Sequence, residues 1–520
     1  AQAGGASIVA SRADIVDRRG RILATNMETH SLYAHPHQMV EPVRAAKELA
    51  AIFPDLDEER MVKDFTDPKR KFLWVRKKIS PEQMQLVHDI GEPGLLFGPR
   101  EMRLYPNGTL AAHVLGGSSF GREGVDSAEV IGTAGIERFF DEPLRDPARE
   151  GAPLELSLDL SVQAATERVL QSGMMLMNAK GAASVLMDVD TGEVIAIASL
   201  PDFDPNDRPR PPTKGRPSDS PLFNRAVQGV YELGSTFKIF AAAQAMDMGL
   251  VTPQTVIDTS PPFSVSGFRI GEFDGHNYGK QTVEGIIVNS SNRGTGKLAL
   301  AIGPQRQQEF LRSMGFFDAT GLEIVEAQGG KPLVPSRWTD LSTVTISYGH
   351  GLSASPLHLA TGYATIANGG HLVKPTLLKQ AAPVQGPRVM SEATAAAARS
   401  MLRKVVTEGT ASFGEVPGYK VGGKTGTADK PKENGGGYYE DKVITTFATM
   451  FPADDPRYVL VVTLDEPVET SGPKPRRTAG WTAVPVAAEM IGRIAPLLGL
   501  RPEYDLPEVA QLTMVRAEGE

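Results

Sequence analysis

Along the chain the apolar positions fall into two regimes, with a change near residue 155. Before it, apolar residues are interspersed with polar ones in short stretches. Ile15-Val16 and Ile22-Leu23-Ala24 flank Asp17-Arg18-Arg19-Gly20, which predicts a hairpin closed by a glycine-containing turn. Residues 43–52 and 58–65 carry helical spacing. Pro106-Asn107-Gly108 and Gly116-Gly117 read as turns. This stretch is polar and shows no concentrated chemistry, so it reads as a scaffold or docking module.

After the change the apolar runs lengthen. Residues 161–177 predict a helix capped by Asp159 or Ser161. Residues 182–188 and 193–199, joined by Asp190-Thr191-Gly192, predict a hairpin inside a buried sheet. Residues 202–221, rich in Pro, Asp and Arg, read as a mobile loop. A helix-rich stretch continues to about residue 410. Two strands follow at 443–451 and 458–465, and a helix near 484–498 closes the unit. Strands at both ends with helices between them predict an α+β fold: an antiparallel sheet covered by helices, plus a helical lobe. The expected division is 1–155, 156–500 and a polar, acidic tail over 501–520.

Composition narrows the function. Hydrophobic residues make up 41% and charged residues 22%, which excludes disorder of the whole chain. A net charge of -8 argues against a basic nucleic-acid-binding surface. The absence of cysteine excludes disulfides, zinc–thiolate sites, iron–sulfur clusters and a thiol nucleophile. Nine histidines without a His-Glu-x-x-His pattern make a metal enzyme a poor expectation. No apolar run is long enough to span a membrane. The start, Ala1-Gln2-Ala3-Gly4-Gly5, does not read as a signal peptide, and the sequence reads as processed or truncated, with room for a lost anchor.

Three short segments carry candidate chemistry. In Gly234-Ser235-Thr236-Phe237-Lys238, followed by a run of helix formers, Ser235 falls near a helix N-terminus. Lys238 lies on the same helix face, beside the hydroxyl. A lysine of lowered pKa can activate a serine nucleophile, and the helix N-terminus offers an N–H to an oxyanion. Alone, this pattern fits a helix cap with a solvated lysine equally well. A second copy, Ser471-Gly472-Pro473-Lys474, contains Gly and Pro that prevent a regular turn, and reads as chance. The second segment is Ser290-Ser291-Asn292, by itself an ordinary helix cap. The third is Gly423-Lys424-Thr425-Gly426-Thr427, on a strand expected to begin at Tyr419. There Lys424 offers charge to a carboxylate, Thr425 and Thr427 offer hydroxyls, and the Thr427 N–H is a second oxyanion donor. The two glycines would let a ligand backbone approach an edge strand. Ser-x-x-Lys, Ser-x-Asn and Lys-Thr-Gly in this order form a far more specific signature than any one of them.

On these motifs the chain resembles the class B penicillin-binding proteins, monofunctional peptidoglycan D,D-transpeptidases, and most closely the septal FtsI type. The likeness extends to Arg12-Ala13-Asp14-Ile15-Val16-Asp17-Arg18-Arg19-Gly20, to Ala112-His113-Val114-Leu115-Gly116 and to Gly135-Ile136-Glu137. It also covers Asp188-Val189-Asp190-Thr191-Gly192 and Ser347-Tyr348-Gly349-His350-Gly351, where His350 is a position expected to vary. The resemblance implies an elongated N-terminal pedestal or dimerisation-type domain and a transpeptidase domain with a five-stranded antiparallel sheet. It implies Ser235 as acyl-forming nucleophile, Lys238 as its base, Ser290 as proton relay and Asn292 as holder of the substrate amide. Lys424, Thr425 and Thr427 would hold the terminal carboxylate, with Ser291 and Gly426 counted in the substrate-binding set. Two lysines in one site are expected to depress each other's pKa.

The implied ligands are peptidoglycan stem peptides and β-lactams, with no cofactor, no metal and no nucleic acid. The implied setting is the periplasmic face of the inner membrane at the division site, through a single N-terminal membrane helix. An FtsW-type glycosyltransferase, FtsN-type activators and other divisome proteins would be partners. The rivals are an elongation-type enzyme, a D,D-carboxypeptidase, a β-lactamase and a non-turnover β-lactam receptor or divisome scaffold. The β-lactamase lacks a Glu-x-x-Leu-Asn-type box here. Residues 433–439 read as a mobile hairpin loop beside the cleft, and Trp338 and Tyr348 as core or cleft packing.

Overall fold

The computed structural model describes residues 11–123, 128–433 and 435–504. The expectations for residues 1–5, for Asn434 and for the tail beyond 504 lie outside the described residues. Two compact units emerge. One runs to Glu155 and includes Asp204–Arg208; the other holds Leu156–Phe203 and the chain from Pro209 onward.

In the first unit the hairpin forms as read: Ile15–Val16 pairs antiparallel with Ile22–Ala34, Val16 opposite Ile22. Asp17 closes the turn by accepting from the Arg19 and Arg21 N–H groups, each at 2.9 Å. The long Ile22–Ala34 strand also pairs with Leu73–Ile79 and Leu95–Leu104. Helices Pro42–Ile52 and Glu58–Thr66 pack their apolar faces, Leu49, Met61 and Phe65 among them, on one core with Leu32 and Ile79.

This unit, which reads in sequence as a scaffold without concentrated chemistry, holds a buried ion cluster. Arg12 Nε and Arg103 Nε each donate to a separate oxygen of Glu137, at 2.6 and 2.7 Å. Arg12 also reaches Asp141 at 2.8 Å, and Arg103 donates to Asn26. The Arg12, Arg103 and Glu137 side chains are at most 1% exposed. Buried charges survive only when paired and hydrogen-bonded, as here. The 202–221 loop is also tied down in part. Asp204 caps a short turn, and the Asn206 side chain meets both N–H and C=O of Tyr105 at 2.9 Å.

The second unit is built on an antiparallel five-stranded sheet. Its strands in chain order are β1 (Gly181–Asp188), β2 (Val194–Leu200), β3 (Gly422–Pro431), β4 (Tyr438–Phe451) and β5 (Tyr458–Asp465). The spatial order is β3-β4-β5-β1-β2, so β3 lies at an edge. β1, β2 and β5 are buried along nearly their whole length, because helices cover both faces. Continuous apolar runs, rather than alternation, follow from that double cover. Helix α1 (Leu160–Leu176), capped by Asp159, lies with the final helix on one side of the sheet. The wholly buried Pro356–Ala367 helix lies against β1, β4 and β5. The final helix spans Ala483–Ile494.

Strand β3 begins at Gly422, not at Tyr419, which sits in a turn followed by Lys420 at φ 47°. The hairpin after it closes at Pro431 opposite Tyr438.

Candidate active site

Ser235 stands in the short 3-10 turn Gly234–Phe237, and the α-helix begins one residue later as α2 (Lys238–Asp247). Ser235 thus lies near the helix N-terminus, as its sequence indicates: it directly precedes the α-helix, and its C=O receives the Lys238 N–H. Gly234 has φ +57°, and a side-chain carbon there would lie 2.9 Å from the Thr427 C=O and 3.2 Å from its N–H nitrogen. The turn therefore presses on the main chain of β3 at Thr427. Two bonds hold it there. The Thr236 hydroxyl donates to Leu233 C=O, and buried Tyr363 donates its hydroxyl to Thr236 C=O at 2.7 Å. The Ser235 side chain is half-buried and faces a cavity of about 490 Å³ also lined by Ser290, Thr425 and Thr427.

Lys238 and Lys424 are 1% and 0% exposed, so neither amine reaches bulk water. Lys238 Nζ donates to the Ser290 C=O at 2.5 Å and to Ser290 Oγ at 3.0 Å. Lys424 Nζ donates to the same Oγ at 2.9 Å and to Thr425 C=O at 3.3 Å. The Ser290 hydroxyl thus bridges two buried amines, whereas the Ser235 hydroxyl has no hydrogen-bond partner among the described residues. The helix places Lys238 near its serine, but the buried amine turns to the acceptors that Ser290 supplies.

Burial, then the charge of Lys424, holds Lys238 well below the ordinary lysine range; Glu272 opposes this. Burial alone lowers Lys424 to about 7. Desolvation, more than mutual repulsion, is therefore what disfavours the charged amines.

Ser290 itself has φ +59°, a left-handed conformation that a serine rarely adopts. It lies between helix Val283–Val288 and α3 (Asn292–Ile302). Ser291 is not a substrate group. It is fully buried, caps α3 by accepting from Gly294 N–H, and donates to Glu272 at 2.6 Å. Asn292 is half-buried, and its Nδ2 donates to Gly271 C=O, leaving Oδ1 as the atom able to accept from a ligand. Glu272 was missed from sequence. Its buried carboxylate also takes the Asn292 and Arg293 N–H groups at 2.7 and 3.1 Å, at the positive end of α3. Glu272 thereby fixes the segment that carries Ser290.

On β3, Thr425 and Thr427 reach the cavity. Their hydroxyls also meet Thr410 Oγ1 at 2.9 Å and the Ala479 N–H at 3.0 Å. Lys424 does not stand on the cavity wall as a direct carboxylate holder: its amine is buried behind Ser290 and Thr425. The two glycines serve the fold rather than a ligand. A side-chain carbon on Gly426 would meet Leu233 C=O at 2.3 Å, and one on Gly423 would meet Ala448 C=O at 2.5 Å. Gly426 is thus the clearance for the Ser235 turn, and it leaves the substrate-binding set.

The remaining expectations sort simply. Ser471 and Lys474 are exposed in a loop, and Ser471 accepts from Arg476. Trp338 donates to Gln307 and stacks on Phe317, as packing. Tyr348 packs edge-on against His350, and burial pushes its hydroxyl up to about 12. In the hairpin after β3, Tyr438 donates to Glu232, three residues before the nucleophile. Among the described residues no group of His, Asp and Glu could hold a metal ion.

Comparison with known proteins identifies the family. Residues 182–489 match the family model of the penicillin-binding protein transpeptidase domain, and 7–148 that of the penicillin-binding protein dimerisation domain. "Probable peptidoglycan D,D-transpeptidase FtsI" of Caulobacter vibrioides is 34% identical over 96% of this chain and 83% of that protein. Peptidoglycan D,D-transpeptidase FtsI of Escherichia coli is 28% identical over 95% and 84%. Stage V sporulation protein D of Bacillus subtilis is 29% identical over 94% and 79%. A crystal structure of the Mycobacterium tuberculosis penicillin-binding protein 3 with ampicillin superposes with a TM-score of 0.71 at 28% identity, covering 96% of this chain and 97% of that one.

Proposed function

The chain belongs to the class B penicillin-binding proteins and is a peptidoglycan D,D-transpeptidase, and from that premise we propose that its acyl transfer runs through Ser235. Ser235 Oγ attacks the penultimate D-Ala carbonyl of a donor stem peptide. The C–O bond forms, the C–N bond to the terminal D-Ala breaks, and that amine leaves with a proton. Lys238, held neutral by burial, takes the serine proton. Ser290 Oγ, between the two amines, passes a proton to the departing nitrogen. The N–H groups of Ser235 and Thr427 receive the oxyanion, because the Gly234 turn lies against the Thr427 main chain. Thr425 and Thr427 hold the terminal carboxylate, and the Lys424 amine behind them, lowered to about 7, adds positive charge only in its protonated form. Asn292 Oδ1 accepts from the donor amide.

The observation that carries this reading is the shared hydroxyl of Ser290, 3.0 Å from one buried amine and 2.9 Å from the other, beside the cavity that opens at Ser235. Mass spectrometry after penicillin treatment tests it. The adduct is expected on Ser235 and absent in Ser235→Ala; an adduct on another side chain overturns the assignment.

We read 1–155 as the pedestal or dimerisation-type domain, 156–500 as the transpeptidase domain and 501–520 as a tail. Among the described residues no helix is long and apolar enough to cross a membrane. Attachment to the periplasmic face of the inner membrane is proposed by family likeness, as is work beside an FtsW-type glycosyltransferase and other divisome proteins. The FtsI-named relatives support septal synthesis, while the sporulation protein shows that related chains carry another cellular name. Depletion in the source cell separates the roles: filaments with blocked septa support the septal one, and loss of rod shape assigns elongation.

A further inference from the structure

The cavity at Ser235, of about 490 Å³, is lined by more than the three motifs. Ser235, Ser290, Thr425 and Thr427 line it, and Phe413 and Trp481 line the same cavity. Both aromatic side chains are open to solvent, Phe413 at 55% and Trp481 at 40%. Their rings pack on each other, with centroids 5.1 Å apart at 54°. The Arg476 guanidinium lies 3.7 Å from the Trp481 ring centroid and is itself paired with Glu469. Arg476 therefore braces the indole. A braced aromatic wall left open to water, continuous with a reaction cavity, is a surface built for an apolar ligand group.

The chemistry says which group. In the second half of the reaction an amine nitrogen attacks the Ser235 ester carbonyl. The new C–N bond forms, the C–Oγ bond breaks, and the proton released by the nitrogen returns to Ser235 Oγ. By microscopic reversibility this nitrogen arrives where the D-Ala nitrogen left, on the side of Thr425 and Thr427. D-alanine ends there. An acceptor that is itself a stem peptide continues past that point, and the solvent-exposed apolar side chains of the same cavity are Phe413 and Trp481.

We propose that Phe413 and Trp481 form the acceptor subsite, packing the aliphatic carbons of an amine-bearing stem-peptide side chain. This rests on the acyl transfer through Ser235 proposed above. The wall acts on the choice between an amine and water, and the donor step does not require it.

The test measures partition of the acyl-enzyme in the full chain. An acyl-D-alanyl thioester serves as donor, and products of aminolysis and hydrolysis are separated by mass spectrometry. The acceptors are a stem peptide with a side-chain amine and, in parallel, D-alanine. In Phe413→Ala and Trp481→Ala the aminolysis-to-hydrolysis ratio with the stem peptide is expected to fall about tenfold, while the ratio with D-alanine changes by less than about twofold. Phe413→Tyr and Trp481→Phe should restore the stem-peptide ratio. An unchanged ratio with the stem peptide, or an equal fall with both acceptors, overturns the subsite. Failure of the wild-type chain to form any acyl-Ser235 would instead strike the reaction itself, so the two failures are told apart.

Discussion

Each unit of this protein buries a cluster of charged side chains, and the two clusters are opposites. In the first, Arg12 and Arg103 share Glu137, and Asp141 completes the balance. In the second, Lys238 and Lys424 share a neutral hydroxyl, and among the described residues no carboxylate is in direct contact with either amine. The balanced cluster keeps its charges and ties distant parts of the chain into one structure. The unbalanced cluster sheds protons, because water-free burial of two like charges favours the free amines. Equal burial therefore yields a structural clamp in one case and chemical reactivity in the other. The sign of the partner decides.

That contrast can be broken at either end. The largest effect is expected from Lys238→Arg, which puts a permanent charge at the site and removes the base. Acylation by penicillin should fall by roughly a thousandfold, read as the second-order rate of adduct formation. Near-normal acylation would discard Lys238 as base. Next comes Glu137→Gln, which leaves two buried guanidinium groups short of their anion. Unfolding of the first unit should shift by roughly 3–5 kcal/mol, measured by denaturant titration. A shift below about 1 kcal/mol would show that the cluster is no clamp.

Glu272→Gln sharpens the comparison between a carboxylate in contact and one at a distance. Its bonds to Ser291, Asn292 and Arg293 position Ser290, so acylation should drop roughly tenfold. Its charge favours protonated Lys238, so losing it lowers that pKa further, and the acid limb of the rate profile should move to lower pH. A fall in rate with no movement of the limb would confine Glu272 to holding the loop.

The sheet and the three motifs were legible because their signals are local. Asp190-Thr191-Gly192 between two apolar runs announces β1 and β2, and Asp159 announces α1. The site's supports were not legible because they are made by distant residues. Glu272 lies 19 residues before Ser291 in a loop with no pattern of its own. Glu137 meets Arg12 across 125 residues. Gly426 reads in sequence as clearance for a ligand, and only the fold reveals that Leu233 fills the space. Ser291 sits between two motif residues, yet its hydroxyl points into the protein as a cap. Spacing along the chain reports which residues neighbour one another, not which way each one faces.

The most direct measurement of the central claim is the rate of Ser235 acylation by penicillin as a function of pH. Lys424, lowered to about 7, and Lys238, also lowered, should both lose their protons well before an ordinary lysine. The acid limb belongs to the base, Lys238, so the rate should rise through pH values well below the ordinary lysine range and level off before it. A rate that is flat through this range and climbs only toward pH 10 would mean that both amines stay charged in the fold, contradicting the account.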